Sequence, residues 1–488
     1  MDKKKAYRIL FENKVVILFV VLCIGATIAS KQPLTFVAPE LFTRIARNSA
    51  LVLSLIIPVI AGMGLNFGIV IGAMAAQIAL FLTTYWGITG IAGFLLTAAM
   101  ATPIAAFFGF LVGKLFNNMK GSEMIGGLVL SYFAEGLYLL LFLFIFGGVI
   151  PMDNPTLMIA TGVGVKNTID LSASIKYALD TVPMLNIIEM GFYLCVIGNV
   201  GTVILKKSKK LPINWAAVIL RLAAAVVIYA LTFIPSIEQL LAQDRLLLLR
   251  AVEFGCAGTV VWQLWRFVTA KWVYHRPFNA KKAAAALVTA AVVYALTYIP
   301  AIFDVLIVVQ LPVMTYLCIA GLCFFNNALM KTRLGQNMRT VGQSRVVANA
   351  AGINVDKTRI IAMIFSTVLA SWGQLIFLQN VGTFSTYGAH TQVGQFAIAA
   401  LLVGGASVQK ANNRQAITGI ILFHTLFIVA PLAGRELFGD AVIGEYFRVF
   451  VSYGVIAMAL AMHAWKKVVK KEDKKSDGNR PAAVQADA

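Results

Sequence analysis

Charge is what this sequence has least of. Aspartate, glutamate, lysine and arginine make up 13% of its 488 residues, about half the share that soluble domains carry. Together with 59% apolar residues and a mean hydropathy of +0.82, that scarcity excludes a water-facing globular protein. Several runs exceed the ~18 apolar residues that mark a membrane-spanning helix. Negative charge is rarer still, with 21 acidic against 41 basic residues and a net charge of +20. The excess does not point to nucleic acid, because the lysines and arginines sit between apolar segments, where membrane topology alone explains them. Five cysteines, Cys23, Cys195, Cys256, Cys318 and Cys323, all fall within apolar segments and form no C-x-x-C pair. They read as small core residues, which excludes a disulfide framework or a thiolate metal site. Catalytic patterns are also missing. No G-x-x-x-x-G-K-[ST] phosphate loop occurs, since GFLVGK at 109 to 114 has too few residues between its glycines, and there is no G-x-S-x-G or H-E-x-x-H. The expectation is a chain that is not itself an enzyme, with no cofactor and no metal.

What is present is an all-α, polytopic pattern. The amino-terminal MDKKKAYRILFENK and the apolar run after it resemble a signal peptide but lack a small-residue cleavage site, so an uncleaved first helix is expected. With spans of ~20 residues, the approximate crossings are 14–30, 49–63, 66–84, 89–113, 124–149, 186–205 and 213–234. The series continues with 246–270, 283–303, 310–330, 358–379, 393–408, 416–434 and 444–464, giving about 14 (12 to 14) transmembrane helices within a membrane domain 14–466. Segment 49–63 is short and ends in glycine, so a broken or re-entrant path is expected there. Basic clusters at Lys3 to Lys5, Lys114 with Lys120, Lys206 to Lys210, Lys271 to Lys282, Lys331 to Arg359, Lys410 with Arg414, and Lys466 to Lys475 then all share one side. By the positive-inside rule that side is cytoplasmic, as are both termini, the stretch 1–13 and a charged, disordered tail 467–488.

A repeat occupies the middle of the chain. Pro212-Ile-Asn214 recurs as Pro277-Phe-Asn279, and the run from Tyr229 to Pro235 recurs from Tyr294 to Pro300, both displaced by 65 residues. Each copy reads as a basic entry, a span ending in Ile-Pro and a return span, so a duplicated helical-hairpin insertion is expected over about 206–325. Its interior is mostly Ala, Val and Leu, with little to bind a solute.

Polar residues in the remaining spans are candidates for a solute path. Asn66, Gln77, Gln374 and Gln395 are uncharged hydrogen-bonding groups suited to hydroxyls or amides, and Glu135 would be costly against lipid, so it faces a partner or water. Gly64, Gly68 and Gly72, and likewise Gly109 and Gly113, recur at a spacing of four that lets helices approach closely. His424 and His463 sit singly in apolar helices and read as packed. The densest polar stretch is the loop 331–358, where Thr340 to Ala351 is expected to be a short helix closed by Gly352.

That loop carries a resemblance. Arg339-Thr-Val-Gly342-Gln343, Ala348, Ala351-Gly352-Ile353-Asn354-Val355 and the upstream Thr332-Arg333-Leu334-Gly335 resemble the cytoplasmic loop of a known permease family. It comprises the ABC importer permeases for branched-chain amino acids, simple sugars and nucleosides. Gly394 to Ser407 is similar to that family's glycine-pair segment, and GLNFGIVIGAMAA at 64–76 to its early glycine-rich helix, although Ile69-Val70-Ile71 stands where nucleoside-type members commonly have polar residues. The resemblance implies a subunit of the bacterial inner membrane that pairs with a second permease, as a homo- or heterodimer. It would receive a sugar or nucleoside from an extracytoplasmic substrate-binding protein and dock on a separate ABC ATPase. It assigns the ATPase-coupling contact to Arg339, Gly342, Gln343, Arg345, Ala348, Ala351 and Gly352. An ion-gradient-driven secondary transporter is the alternative.

Overall fold

The structure is a computed structural model that describes residues 14–450 apart from 120, 160–162, 210, 211, 213 and 271–278, together with 453, 454 and 457. The expectations for 1–13, the tail 467–488, His463 and most of the last span 444–464 lie outside the described residues, as do Lys120, Lys210 and Pro277. Within a bilayer the backbone has no water to bond, so apolar runs fold into helices that satisfy their own N–H and C=O groups. The chain forms two compact units, one of residues 1–32, 47–176 and 321–488, the other of 33–46 and 177–320.

The first unit holds α1 (Lys14–Ala29) and the end of α2 (Leu34–Ser54), then α3 (Ile56–Ile60), α4 (Ile69–Tyr85), α5 (Gly90–Asn118) and α6 (Glu123–Leu140). α6 runs into a π-helical turn, Leu141–Val149, and strand β1 (Thr168–Asp170) follows. The second unit contains α7 (Met184–Ser208), α8 (Trp215–Leu231), α9 (Pro235–Leu241), β2 (Arg245–Leu247), α10 (Leu248–Val268), α11 (Ala280–Leu296), α12 (Pro300–Val308) and β3 (Gln310–Pro312). Through α13 (Val313–Leu329) the chain returns to the first unit, which adds α14 (Arg333–Gln343), α15 (Arg345–Ala350), α16 (Val355–Val381), β4 (Thr383–Ser385), α17 (Ala389–Val403) and α18 (Asn413–Phe438).

The centre of the first unit is α16, packed on α4 and α5. Glycine makes the approach possible: a Cβ on Gly113 would lie 2.8 Å from Ile360 Cα, one on Gly109 2.9 Å from Ile364 Cα, and one on Gly72 2.6 Å from the Thr367 carbonyl. The expected face of Gly64, Gly68 and Gly72 is not one helix face, because α4 starts only at Ile69 and residues 61–68 are irregular. Gly62 and Gly64, both at φ +75°, turn the chain there. At the far end of α16, β4 pairs antiparallel with β1, Ile169 opposite Phe384.

In the second unit the repeat is visible atom by atom. Asn214 and Asn279 cap α8 and α11, accepting from the N–H of Ala217 and Lys282 at 3.1 and 3.2 Å. Thr232 and Thr297 end the two helices by donating to the Tyr229 and Tyr294 carbonyls, both at 2.6 Å. Ile234 and Ile299 share the same extended backbone before Pro235 and Pro300 open the next helix, the position where proline's missing N–H costs nothing.

Six helices among the described residues are long and apolar enough to cross a membrane, and two bent pairs raise the number to eight. The chain is thus a multi-pass, helical membrane protein, with fewer such spans among the described residues than the about 14 (12 to 14) expected from hydropathy, the last of which lies mostly outside them. The difference lies in helices such as Ile69–Tyr85, Trp215–Leu231 and Ala389–Val403, which fall short of full span length. Leu248–Val268 carries Arg250, Glu253, Gln263 and Arg266 along its length. The segment expected as a short span at 49–63 is instead the end of a helix that begins at Leu34, broken at Leu55. Glu40 and Arg44 on that helix pair with each other at 2.8 Å one turn apart.

Candidate functional site

The basic island folds as three helices separated by two breaks. Thr332 caps α14 by accepting from the Gly335 N–H at 3.2 Å, Ser344 caps α15 by accepting from Val347, and Asn354 caps α16 by accepting from Lys357 at 2.9 Å. Ser344 is extended (φ −159°, ψ 116°), and Gly352 is left-handed at φ +75°. The helix expected over 340–351 is therefore two pieces, with Thr340 to Gln343 completing α14. The reason is local: a serine hydroxyl competes well for the first N–H groups of a new helix.

The pieces are held by a carboxylate the sequence reading missed. Glu123, the first residue of α6, pairs through one oxygen with both Arg345 of α15 and Arg359 of α16, the latter at 2.7 Å. Arg359 is 1% exposed and Glu123 7%; a charge so far from water persists only when paired and hydrogen-bonded. A cavity of about 640 Å³ lined by Asn117, Arg345, Asn349, Asn354, Asp356 and Arg359 opens beside the cluster. Glu123 follows Gly121-Ser122 between two spans, and only its pairing across more than two hundred residues distinguishes it from a loop acid.

The seven residues assigned to coupling divide in three ways. Gly342 is packed inward, its Cα where a Cβ on Gly62 would lie only 2.7 Å away, and Ala348 is fully buried among Val341, Ile353 and Val355. Arg339, Gln343, Ala351 and Gly352 are exposed, and Arg345 is held by Glu123. The most exposed apolar side chains of the island are two that the sequence reading passed over, Val346 at 78% and Val347 at 59%.

The polar residues of the spans also separate. Asn66 donates to the Ser366 hydroxyl at 3.4 Å, and Ser366 donates to the Ser54 carbonyl at 3.0 Å. Gln77 of α4 and Gln374 of α16 are fully buried with neither amide atom partnered among the described residues. Glu135 and Gln395 meet elsewhere, lining a cleft of about 40 Å³ with Phe67, Ser131, Tyr132 and Thr391. Glu135 is bonded to His390 Nε2 at 2.5 Å, and the Tyr453 hydroxyl donates to Gln395 at 3.0 Å. His390 went unread in the sequence, although a lone histidine opening an apolar helix near 389–403 was a signal. His424 is packed, 5.3 Å from the Phe423 ring, while Glu253 pairs with Arg250 at 2.7 Å.

Comparison with known proteins gives a consistent picture. The family described as branched-chain amino acid transport system / permease component matches residues 190–462. The nucleoside ABC transporter permease protein NupC of Lactococcus lactis subsp. cremoris is 31% identical over 146 residues, 30% of this chain and 44% of that protein. The galactose/methyl galactoside import permease protein MglC of Salmonella typhimurium is 24% identical over 164 residues, 33% of this chain and 46% of that protein. The chain thus spans just under half the length of these curated relatives. No solved structure matches it.

Proposed function

The chain belongs to the family of branched-chain amino acid transport system permease components, and on that premise we propose that it is the membrane subunit of an ATP-binding cassette importer in a bacterial inner membrane. It forms the path for a small polar solute of the sugar or nucleoside class, the kinds that the two relatives' names carry. It pairs with a second permease subunit, receives solute from an extracytoplasmic binding protein, and leaves ATP hydrolysis to a partner chain. Its basic island and both termini lie on the cytoplasmic side.

The observation that carries this reading is α15. A helix of six residues is far too short to persist alone in water, yet it is braced from below by Ala348 and by Arg345 on Glu123, and it presents Val346 and Val347 outward. Exposed apolar residues on a rigidly backed element mark a docking surface. Gly342 and Ala348 serve the bracing, while Val346 and Val347, with Gln343 and Ala351, are the contact. Replacing both valines (Val346→Asp, Val347→Asp) is expected to lower ATP-driven uptake at least about tenfold with the protein still in the membrane, because an anchor of this kind contributes 1–2 kcal/mol or more, as a rough figure. Uptake unchanged in the double variant would sink the docking surface. Uptake driven by an ion gradient in vesicles without any ATPase would sink the importer itself.

A further inference from the structure

The cleft between α6 and α17 has a chemistry that the importer reading leaves unused. Phe67 and Tyr132 supply flat apolar faces, Ser131 and Thr391 supply hydroxyls, and Gln395 an amide. Among the described residues Glu135 is the one charged residue lining it, with no lysine or arginine beside it. A solute carrying a carboxylate would find no lining cation among the described residues to hold that group, so a free amino acid would be met by charge only at its ammonium. A neutral solute with two adjacent hydroxyls suits the site, since a carboxylate accepts from both at once and the bonds gain from its charge.

As it stands, the cleft is shut. Its 40 Å³ is room for little more than a water or two. Beside it, Glu135 of α6 is held by His390 of α17 at 2.5 Å, one residue before the lining Thr391. His390 is fully buried, and its Nδ1 has no partner among the described residues. The Tyr138 hydroxyl is likewise buried and unpartnered, and its ring lies 4.7 Å from the His390 ring.

We propose that the Glu135–His390 pair is the closed gate of the solute path, and that a neutral solute with adjacent hydroxyls, of the ribosyl or hexosyl class, opens it by replacing His390 as the hydrogen-bond donor to Glu135. This rests on the importer reading above. Glu135 is then a specificity-determining residue and His390 a positioning residue that keeps the carboxylate occupied between solutes. Asn66, Gln77 and Gln374 lie off this cleft and are not part of the gate.

The test uses membrane vesicles holding the full chain with its cognate partner subunits, supplied with ATP and labelled uridine, 2′,3′-dideoxyuridine, galactose or leucine. Unmutated protein is expected to move at least one of uridine and galactose, and to move uridine faster than its dideoxy analogue. In Glu135→Gln the uridine-to-dideoxyuridine ratio is expected to fall about tenfold, the loss of one charge-assisted bond. The binding protein's own preference is the same in both and cancels. If the ratio stays fixed while overall uptake falls, Glu135 is structural and the gate is overturned; uptake of leucine alone overturns the solute class while leaving an importer. No ATP-dependent uptake of any of the four, in vesicles where the partner ATPase binds the chain, overturns the gate as the path of these solutes. If the ATPase does not bind, the importer reading itself has failed. Should Glu135→Gln not reach the membrane, Thr391→Cys gives a second reading against the native cysteines. Uridine is expected to change its rate of maleimide labelling about threefold or more, and dideoxyuridine to leave it alone, because only the first shifts the gate's populations; equal effects overturn the proposal.

Discussion

α16 in the first unit and α7 in the second are both apolar helices of span length, yet 61% of the apolar stretch of one is buried and only 6% of the other. Their surroundings differ in the same sense. In the first unit Gly72, Gly109, Gly113 and Gly373 each stand where a Cβ would strike a neighbouring backbone, whereas Gly191, Gly198 and Gly201 of α7, and Gly255 and Gly258 of α10, meet nothing within 4 Å. The ion pairs follow the division too: that of Glu123 with Arg359 is enclosed, while that of Arg250 with Glu253 remains partly exposed; the second unit's buried acid, Asp180, accepts from the Thr315 hydroxyl at 2.6 Å. Hydropathy is blind to this contrast. Lipid-facing and protein-facing helices need the same apolar residues, and only the contacts of small and charged side chains tell them apart.

Six substitutions would break or sharpen the contrast. Glu123→Ala strands two arginines without their counter-charge and is expected to cost about 3–5 kcal/mol, read as a large drop in melting temperature of the purified protein; Glu253→Ala, its counterpart in the second unit, should stay within about 0.5 kcal/mol. Gly113→Leu drives a side chain into the backbone of α16 and is expected to cost about 1–3 kcal/mol, with helix separation measurable by spin-label distances. The caps of the repeat rank next: Asn214→Ala and Asn279→Ala should each cost about 1 kcal/mol and by similar amounts, since their geometry is the same, which denaturant melts of the two variants can compare. Gly198→Ala is the smallest, expected within about 0.5 kcal/mol, and a melting curve that moved as far as that of Gly113→Leu would mean α7 has a partner.

Much of this was legible in advance. Helix class, the positions of most apolar segments, the repeat with its Asn and Pro landmarks, and the glycine contacts at 109 and 113 follow from periodicity and spacing, because those signals are local. The number of spans is not settled by those signals, since several apolar runs among the described residues end short of bilayer thickness. The loop helix was placed within a few residues, but its break at Ser344 turns on one side chain capping the next segment. The inward turn of Gly342 is set by Gly62, far away in sequence, and that of Ala348 by Val341, Ile353 and Val355 across the two helix breaks. Glu135 was picked out as a costly acid, yet its partner His390 lies 255 residues on, and no pattern within either segment announces the pair. Glu123 was missed for the same reason.

The small β1–β4 ribbon has a reach greater than its three-residue strands suggest. Beyond it the Thr386 N–H donates to the Asn167 carbonyl at 2.8 Å and the Tyr387 hydroxyl to the Val165 carbonyl at 2.6 Å. Residues 165–170 thereby grip the chain up to three positions before His390. A tug on that segment, at the opposite end of α16 from the basic island, would be delivered to the imidazole through a leash too short to slacken.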